Sequence, residues 1–120
     1  MFSEKYDSSF EKRIYETLTS LGVPIRMQGH RYMEDALDIL LRDPEARYAF
    51  VKRVYHPVAE KYGVTGKQVE SAIRTAIGSA WKSGNCEYYE RIFGYSRNTG
   101  DRPCNSEFLL RVLSVLRLML

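Results

Sequence analysis

Residues 55–85 read YHPVAEKYGVTGKQVESAIRTAIGSAWKSGN, and this stretch decides the fold. A short helix of about Pro57 to Tyr62 is predicted to run into a Gly63-Val64 turn. A longer helix then opens at Thr65 and ends near Gly84. Within it Val69, Ala72, Ile73, Ala76, Ile77, Ala80 and Trp81 recur at i, i+3, i+4, i+7, i+8, i+11 and i+12. That is one continuous apolar stripe at the helical period, wide enough to bury. Thr65 is a good N-cap, Gln68 three residues on completes a capping box, and Gly84-Asn85 supplies the stop. Two helices joined by a tight glycine turn outline a helix-turn-helix.

In DNA-binding versions of that motif the second helix lies in the major groove. The face opposite the apolar stripe carries Lys67, Gln68, Ser71, Arg74, Thr75, Gly78 and Lys82. Gln and Arg can pair bidentately with adenine and guanine edges, and Ser or Thr can serve either. Glu70, the one acid among them, either accepts from a cytosine amino group or orients Arg74 four residues on. Ordinary surface helices also carry Lys, Gln, Ser and Arg, so the pattern needs a second observation beside it.

Charge distribution supplies one. The chain as a whole is only +3. Residues 1–46 hold 6 basic and 9 acidic side chains, whereas residues 47–82 hold 7 basic and 2 acidic. Residues 83–120 hold 5 and 4. Positive charge therefore concentrates on the helix pair, as phosphate contacts require.

At 120 residues the chain is expected to form one core. It has no apolar run long enough to span a membrane and no secretory signal at its start. Cys86 and Cys104 have no clustered histidines beside them, the two histidines being His30 and His56. No metal site or cofactor is expected; the thiols read as free and reduced in a cytoplasmic protein. No nucleophile–base pair, metal-ligand spacing or glycine-rich phosphate loop is present, which argues against an enzyme.

The remaining segments read as helices, making the fold class all-α with about six helices around one core. One covers Ser8 to Leu21 with Phe10, Ile14, Leu18 and Leu21 on one face; Gly22-Val23-Pro24 breaks it. A second spans about His30 to Leu41, burying Met33, Ala36, Leu37 and Leu40. Glu34, Asp35 and Asp38 on its other side read as a solvated acidic face. Asp43-Pro44 opens a third helix through Ala46, Ala49, Phe50 and Val54, expected to end before Pro57. A short helix near Cys86 to Ile92 and a polar loop from Gly94 to Cys104 follow. The last helix, capped by Asn105 or Ser106, carries Phe108, Leu109, Val112, Leu113, Leu116 and Leu120. Trp81 reads as core, and Tyr32, Tyr48, Tyr55 and Tyr62 as core or core-edge.

The segments LGVPIRMQGHRYMEDAL, VYHPVAEKYGVTGKQVESAIRTAIGSAWKSGN and IFGYSRNTGDRPCNSEFLLRV closely resemble, in order and spacing, the C-terminal effector domain of stage-zero sporulation protein A. The resemblance runs from about Leu21 to Leu118. It implies a sequence-specific transcription regulator of the sporulation-initiation type that binds double-stranded promoter DNA, sitting head to tail as pairs on adjacent boxes. Carried over, the base-contacting positions are Lys67, Gln68, Glu70, Ser71, Arg74 and Thr75. Arg102 takes a basic position at the DNA backbone, where His56, Lys61, Lys82 and Arg97 are also expected.

Two departures stand out. The family pattern has arginines where this chain has Gln68 and Ser71, while Arg74 keeps the family's residue. Each good bidentate contact contributes roughly 1–3 kcal/mol of discrimination, so a changed box or weaker binding is expected. Family members also carry an N-terminal receiver domain. Residues 1–20, read as a helix or linker remnant ahead of a DNA-binding domain at 21–120, cannot hold one. The chain is expected to be either a piece of a longer regulator or a receiver-less relative. A receiver-less relative could also act as an interaction module on a full-length response regulator.

Overall fold

A computed structural model describes residues 8–83, 86–94 and 102–118. The described residues form six α-helices: α1 (Ser8–Ser20), α2 (Gln28–Arg42), α3 (His56–Tyr62), α4 (Gly66–Ser83), α5 (Cys86–Phe93) and α6 (Asn105–Leu118). There is no strand among them, and the all-α expectation holds. Phe10, Ile14, Leu18 and Leu21 are buried in the same core as the α4 stripe. Trp81 is partly buried, with its ring edge-on to Tyr89 and Phe93 at 5.0 and 6.0 Å. No helix among the described residues is long and apolar enough to cross a membrane.

The centre of the molecule is the crossing of α2 and α4. Met33, Leu37 and Leu40 of one helix and Val69, Ile73 and Ala76 of the other are fully buried. Gly29 sets how closely the two helices approach. A Cβ built on it would fall on the Ala72 carbonyl oxygen and 2.6 Å from the Ala76 Cβ. Glycine is a poorer helix residue than alanine, and here, at the second position of α2, the close backbone approach requires it.

Between α2 and α3 the structure differs from the single helix expected over 44–54. Pro44–Tyr48 is a 3₁₀ turn, and Val51–Tyr55 is a π turn continuous with α3. The helical path therefore passes through Pro57 instead of stopping before it. The His56 amide bonds back to the Val51 carbonyl, a five-residue step. Pro57 is the second residue of α3; it has no N–H to donate to the preceding turn, and the path passes through it on the five-residue step made by His56. The same switch moves Tyr48 outward. In a 3₁₀ turn residues i and i+3 eclipse, and Tyr48 is 78% exposed instead of at the core edge. Tyr32 and Tyr55 are buried as expected.

Gly63 ends α3 at φ 67°, a left-handed conformation that favours glycine. Its amide bonds to the Ala59 carbonyl, and the Val64 amide reaches the same acceptor at 3.0 Å. Three residues thus separate α3 from α4.

The acidic side of α2 is more engaged than a solvated face. Asp35 accepts from Lys61 Nζ at 2.9 Å and from the Tyr62 hydroxyl at 2.5 Å. Asp38 pairs with Arg42 at 3.2 Å, and Glu34 with the buried His30 at 2.6 Å. Tyr89, fully buried on α5, donates its hydroxyl to the Leu21 carbonyl at 2.8 Å and so fastens α5 to the end of α1.

Candidate nucleic-acid interface

The capping box read from the sequence is present in full. The Gln68 amide donates to Thr65 Oγ1 at 3.1 Å, and the Thr65 amide donates to Gln68 Oε1 at 2.8 Å. Two of the orphan N–H groups at the start of α4 are thereby satisfied. The Gln68 carboxamide oxygen is occupied, so only its Nε2 remains to face outward.

Along α4 the side opposite the core is a strip of Lys67, Ser71, Arg74, Thr75, Gly78 and Lys82, with Lys67, Arg74, Thr75 and Lys82 exposed. Its two flanks differ. Ser71 and Thr75 border a shallow groove against Met27, Gln28 and Gly29 at the start of α2. Glu70 and Arg74 border a wider cleft toward the start of α6. Glu70 Oε1 lies 3.6 Å from Arg74 Nη2, at the outer limit of an ion pair. Of its two sequence-level roles, Glu70 takes in this state the one that orients Arg74.

The α4 backbone at Glu70 is tied from the far side. Asn105 Nδ2 donates to the Glu70 main-chain carbonyl at 3.0 Å and to the Tyr55 hydroxyl at 3.3 Å. Burial holds the Tyr55 phenol above its ordinary range, so it stays a neutral hydroxyl. Asn105 is therefore not the cap of α6. It is the first residue of that helix, with its side chain turned inward. Cys104 precedes it, its carbonyl accepting from the Phe108 amide at 3.0 Å. The Cys104 thiol is exposed and held below its ordinary range, chiefly by the Ser106 hydroxyl and then by the Glu107 amide.

The expected backbone-contacting residues divide. The His56 ring lies against Gly66, where a Cβ would stand 2.9 Å from His56 Cδ2, and so borders the N-terminus of α4. Arg102 lies across the outward side of α4 at Gly78, whose Cβ, if present, would stand 2.5 Å from Arg102 Nη1. Lys61 is drawn instead to Asp35 and lines a separate groove with α1 and α2 residues. Arg97 lies outside the described residues. Sequence reasoning missed Arg47, which lines the Arg74–Arg102 cleft from the 3₁₀ turn, and the Asn105 tie.

The family model for the sporulation initiation factor Spo0A C-terminal domain matches residues 14–116. The chain belongs to that family. Spo0A C-terminal domains are DNA-binding effectors of sporulation initiation. The helix-turn-helix formed by α3 and α4 therefore belongs to a DNA-binding regulatory domain. The match takes in nearly all of α1 to α6, including Ile14 and Leu18 of α1.

Proposed function

We propose that this Spo0A-type domain regulates transcription by reading a short promoter box, with α4 in the major groove. Lys67, Gln68, Glu70, Ser71, Arg74 and Thr75 face the bases, and His56, Lys82 and Arg102 contact the backbone. The observation that carries this reading is the solvent-facing strip of α4. It presents cationic and amide side chains over four helical turns while Val69, Ile73, Ala76, Ile77 and Ala80 on the opposite side are buried in the core. A capped, glycine-terminated entry into α4 holds that strip in one orientation.

Base reading here leans on Arg74. Ser71 is short, and Gln68 offers only its Nε2 once Oε1 serves the cap. A box differing from that of relatives with arginines at those positions is the consequence. Enrichment of bound duplexes from a random pool, followed by anisotropy binding to the enriched and a scrambled duplex at two salt concentrations, tests the proposal. A defined enriched site bound more tightly than its scramble supports it. Equal affinity for every duplex would sink it and favour a domain that keeps the fold and acts on another regulator.

A further inference from the structure

The cleft beside α4 holds more positive charge than the recognition strip uses. It encloses about 580 Å³ between the 3₁₀ turn, α4 and the start of α6. Three arginines line it, Arg47, Arg74 and Arg102, with Glu70 the one acidic residue among its lining. That carboxylate is shared with Arg74 at 3.6 Å. Among the described residues neither Arg47 nor Arg102 has a carboxylate within ion-pair distance. Arginines gathered at one cleft repel one another, and a guanidinium's planar fork of donors with no acceptor matches phosphate oxygens.

We infer that this cleft is a phosphate-binding site for the sugar–phosphate backbone flanking the box, with Arg47 as its outer contact and Tyr48 as a hydroxyl donor beside it. The inference rests on the reading of α4 as the recognition helix. Continuity supports it: Glu70 and Arg74 belong both to the strip and to the cleft, so a duplex seated on α4 passes the cleft mouth. Arg102, held across Gly78, bridges the two. Tyr48, in the cleft lining, stands 78% exposed, and tyrosine hydroxyls are regular phosphate donors. Arg47 and Tyr48 lie outside the helix-turn-helix. The footprint therefore extends one element upstream, onto the turn that replaces the expected third helix.

Arg47→Gln, Arg47→Lys and Arg74→Ala, each checked for an unchanged melting temperature, test this by anisotropy across a salt series on box and scrambled duplexes. Arg47→Gln is expected to weaken both duplexes alike and to reduce the slope of log K against log salt by about 0.9. Between about 50 and about 200 mM salt that slope change amounts to roughly 3.5-fold in affinity. Arg47→Lys should keep the wild-type slope. An unchanged slope and affinity in Arg47→Gln, with box preference still lost in Arg74→Ala, would overturn the cleft and leave the reading of α4 standing. A change in the box-to-scramble ratio in Arg47→Gln would also overturn it, because the contact would then be to a base. Calorimetric binding of inorganic phosphate that Arg47→Gln abolishes without altering the DNA slope would assign the cleft to a free anion and reject the backbone role. If the wild type prefers no duplex, the reading of α4 fails first and the cleft assignment falls with it.

Discussion

Asn105 Nδ2 donates to the main-chain carbonyl of Glu70 at 3.0 Å, across 35 residues of sequence. That carbonyl lies one turn before Arg74, the side chain on which the proposed base reading leans. The bond therefore fixes α4 against α6 one turn before Arg74, and the Tyr55 hydroxyl completes the link to the π turn. Asn105→Ala should cost about 1–3 kcal/mol, the range for leaving a buried polar partner unsatisfied. Asn105→Asp should be worse, since a carboxylate would face the Glu70 carbonyl oxygen. Urea denaturation measures the loss. The box-to-scramble ratio, measured well below the denaturation midpoint, should fall as well. A variant with intact discrimination would show that α4 is positioned without this bond.

Gly29→Ala pits helix propensity against packing. Alanine favours the helix by up to about 1 kcal/mol, yet its Cβ would meet the Ala72 carbonyl and the Ala76 Cβ. Neither is the movable end of a flexible side chain, so the α2–α4 crossing has to widen. A net loss of about 1–3 kcal/mol, typical of overpacking, is expected in equilibrium unfolding. A stabilised variant would show that the crossing is looser than the structure has it.

These two cases also mark where sequence reading reached and where it stopped. The α4 stripe, the Thr65–Gln68 cap and the Gly63 turn are local patterns, set by residues within one or two helical turns, and each appears as expected. Tyr48 was misplaced because its face depends on whether residues 44–55 wind as 3₁₀, α or π, and apolar spacing over so short a segment does not separate them. Asn105 with Glu70, Lys61 with Asp35 and Arg47 with Arg74 are encounters between distant elements. Their residue types carry no periodic signal. Asn105 read as a cap because Asn favours caps, and burial against Tyr55 overrode that preference.

Asp38 gives a pH signature. Burial raises its carboxyl above the ordinary range, with Asp35 adding to the effect and Arg42 opposing it. A raised acid binds its proton more readily in the folded state, so stability from this group is present below the unfolded value and lost as pH rises through the folded one. Asp38→Asn should accordingly stabilise the domain relative to wild type near neutrality. The advantage should shrink as pH falls through the raised carboxyl range toward 3.8. Melting temperatures of both proteins across acid pH measure it. A constant difference would mean the Arg42 pair offsets the burial.

Gln68→Glu separates stability from binding. Glutamate serves the capping box as well as glutamine, and its charge suits a helix N-terminus. Unfolding free energy should stay within about 0.5 kcal/mol of wild type or rise slightly. DNA affinity should fall roughly tenfold or more on every duplex, because a carboxylate then meets a polyanion. Unchanged affinity would remove Gln68 from the interface.

Arg74, Arg102 and Gly78 form a set whose members should fail differently. Arg74→Ala should reduce discrimination at one or two base positions by about 1–3 kcal/mol. Arg102→Ala should weaken all sequences similarly and lower the salt slope by about one. Gly78→Ala should stabilise α4 by about 0.5–1 kcal/mol through propensity, while its methyl group pushes the Arg102 guanidinium off the helix. Its DNA phenotype should therefore be a partial copy of Arg102→Ala. In the double variant Gly78→Ala should add no further loss, the non-additivity expected of two changes acting through one contact. Additive losses would place Arg102 away from Gly78 in the DNA-bound state, and the glycine would then need another reason to stand in the middle of a recognition helix.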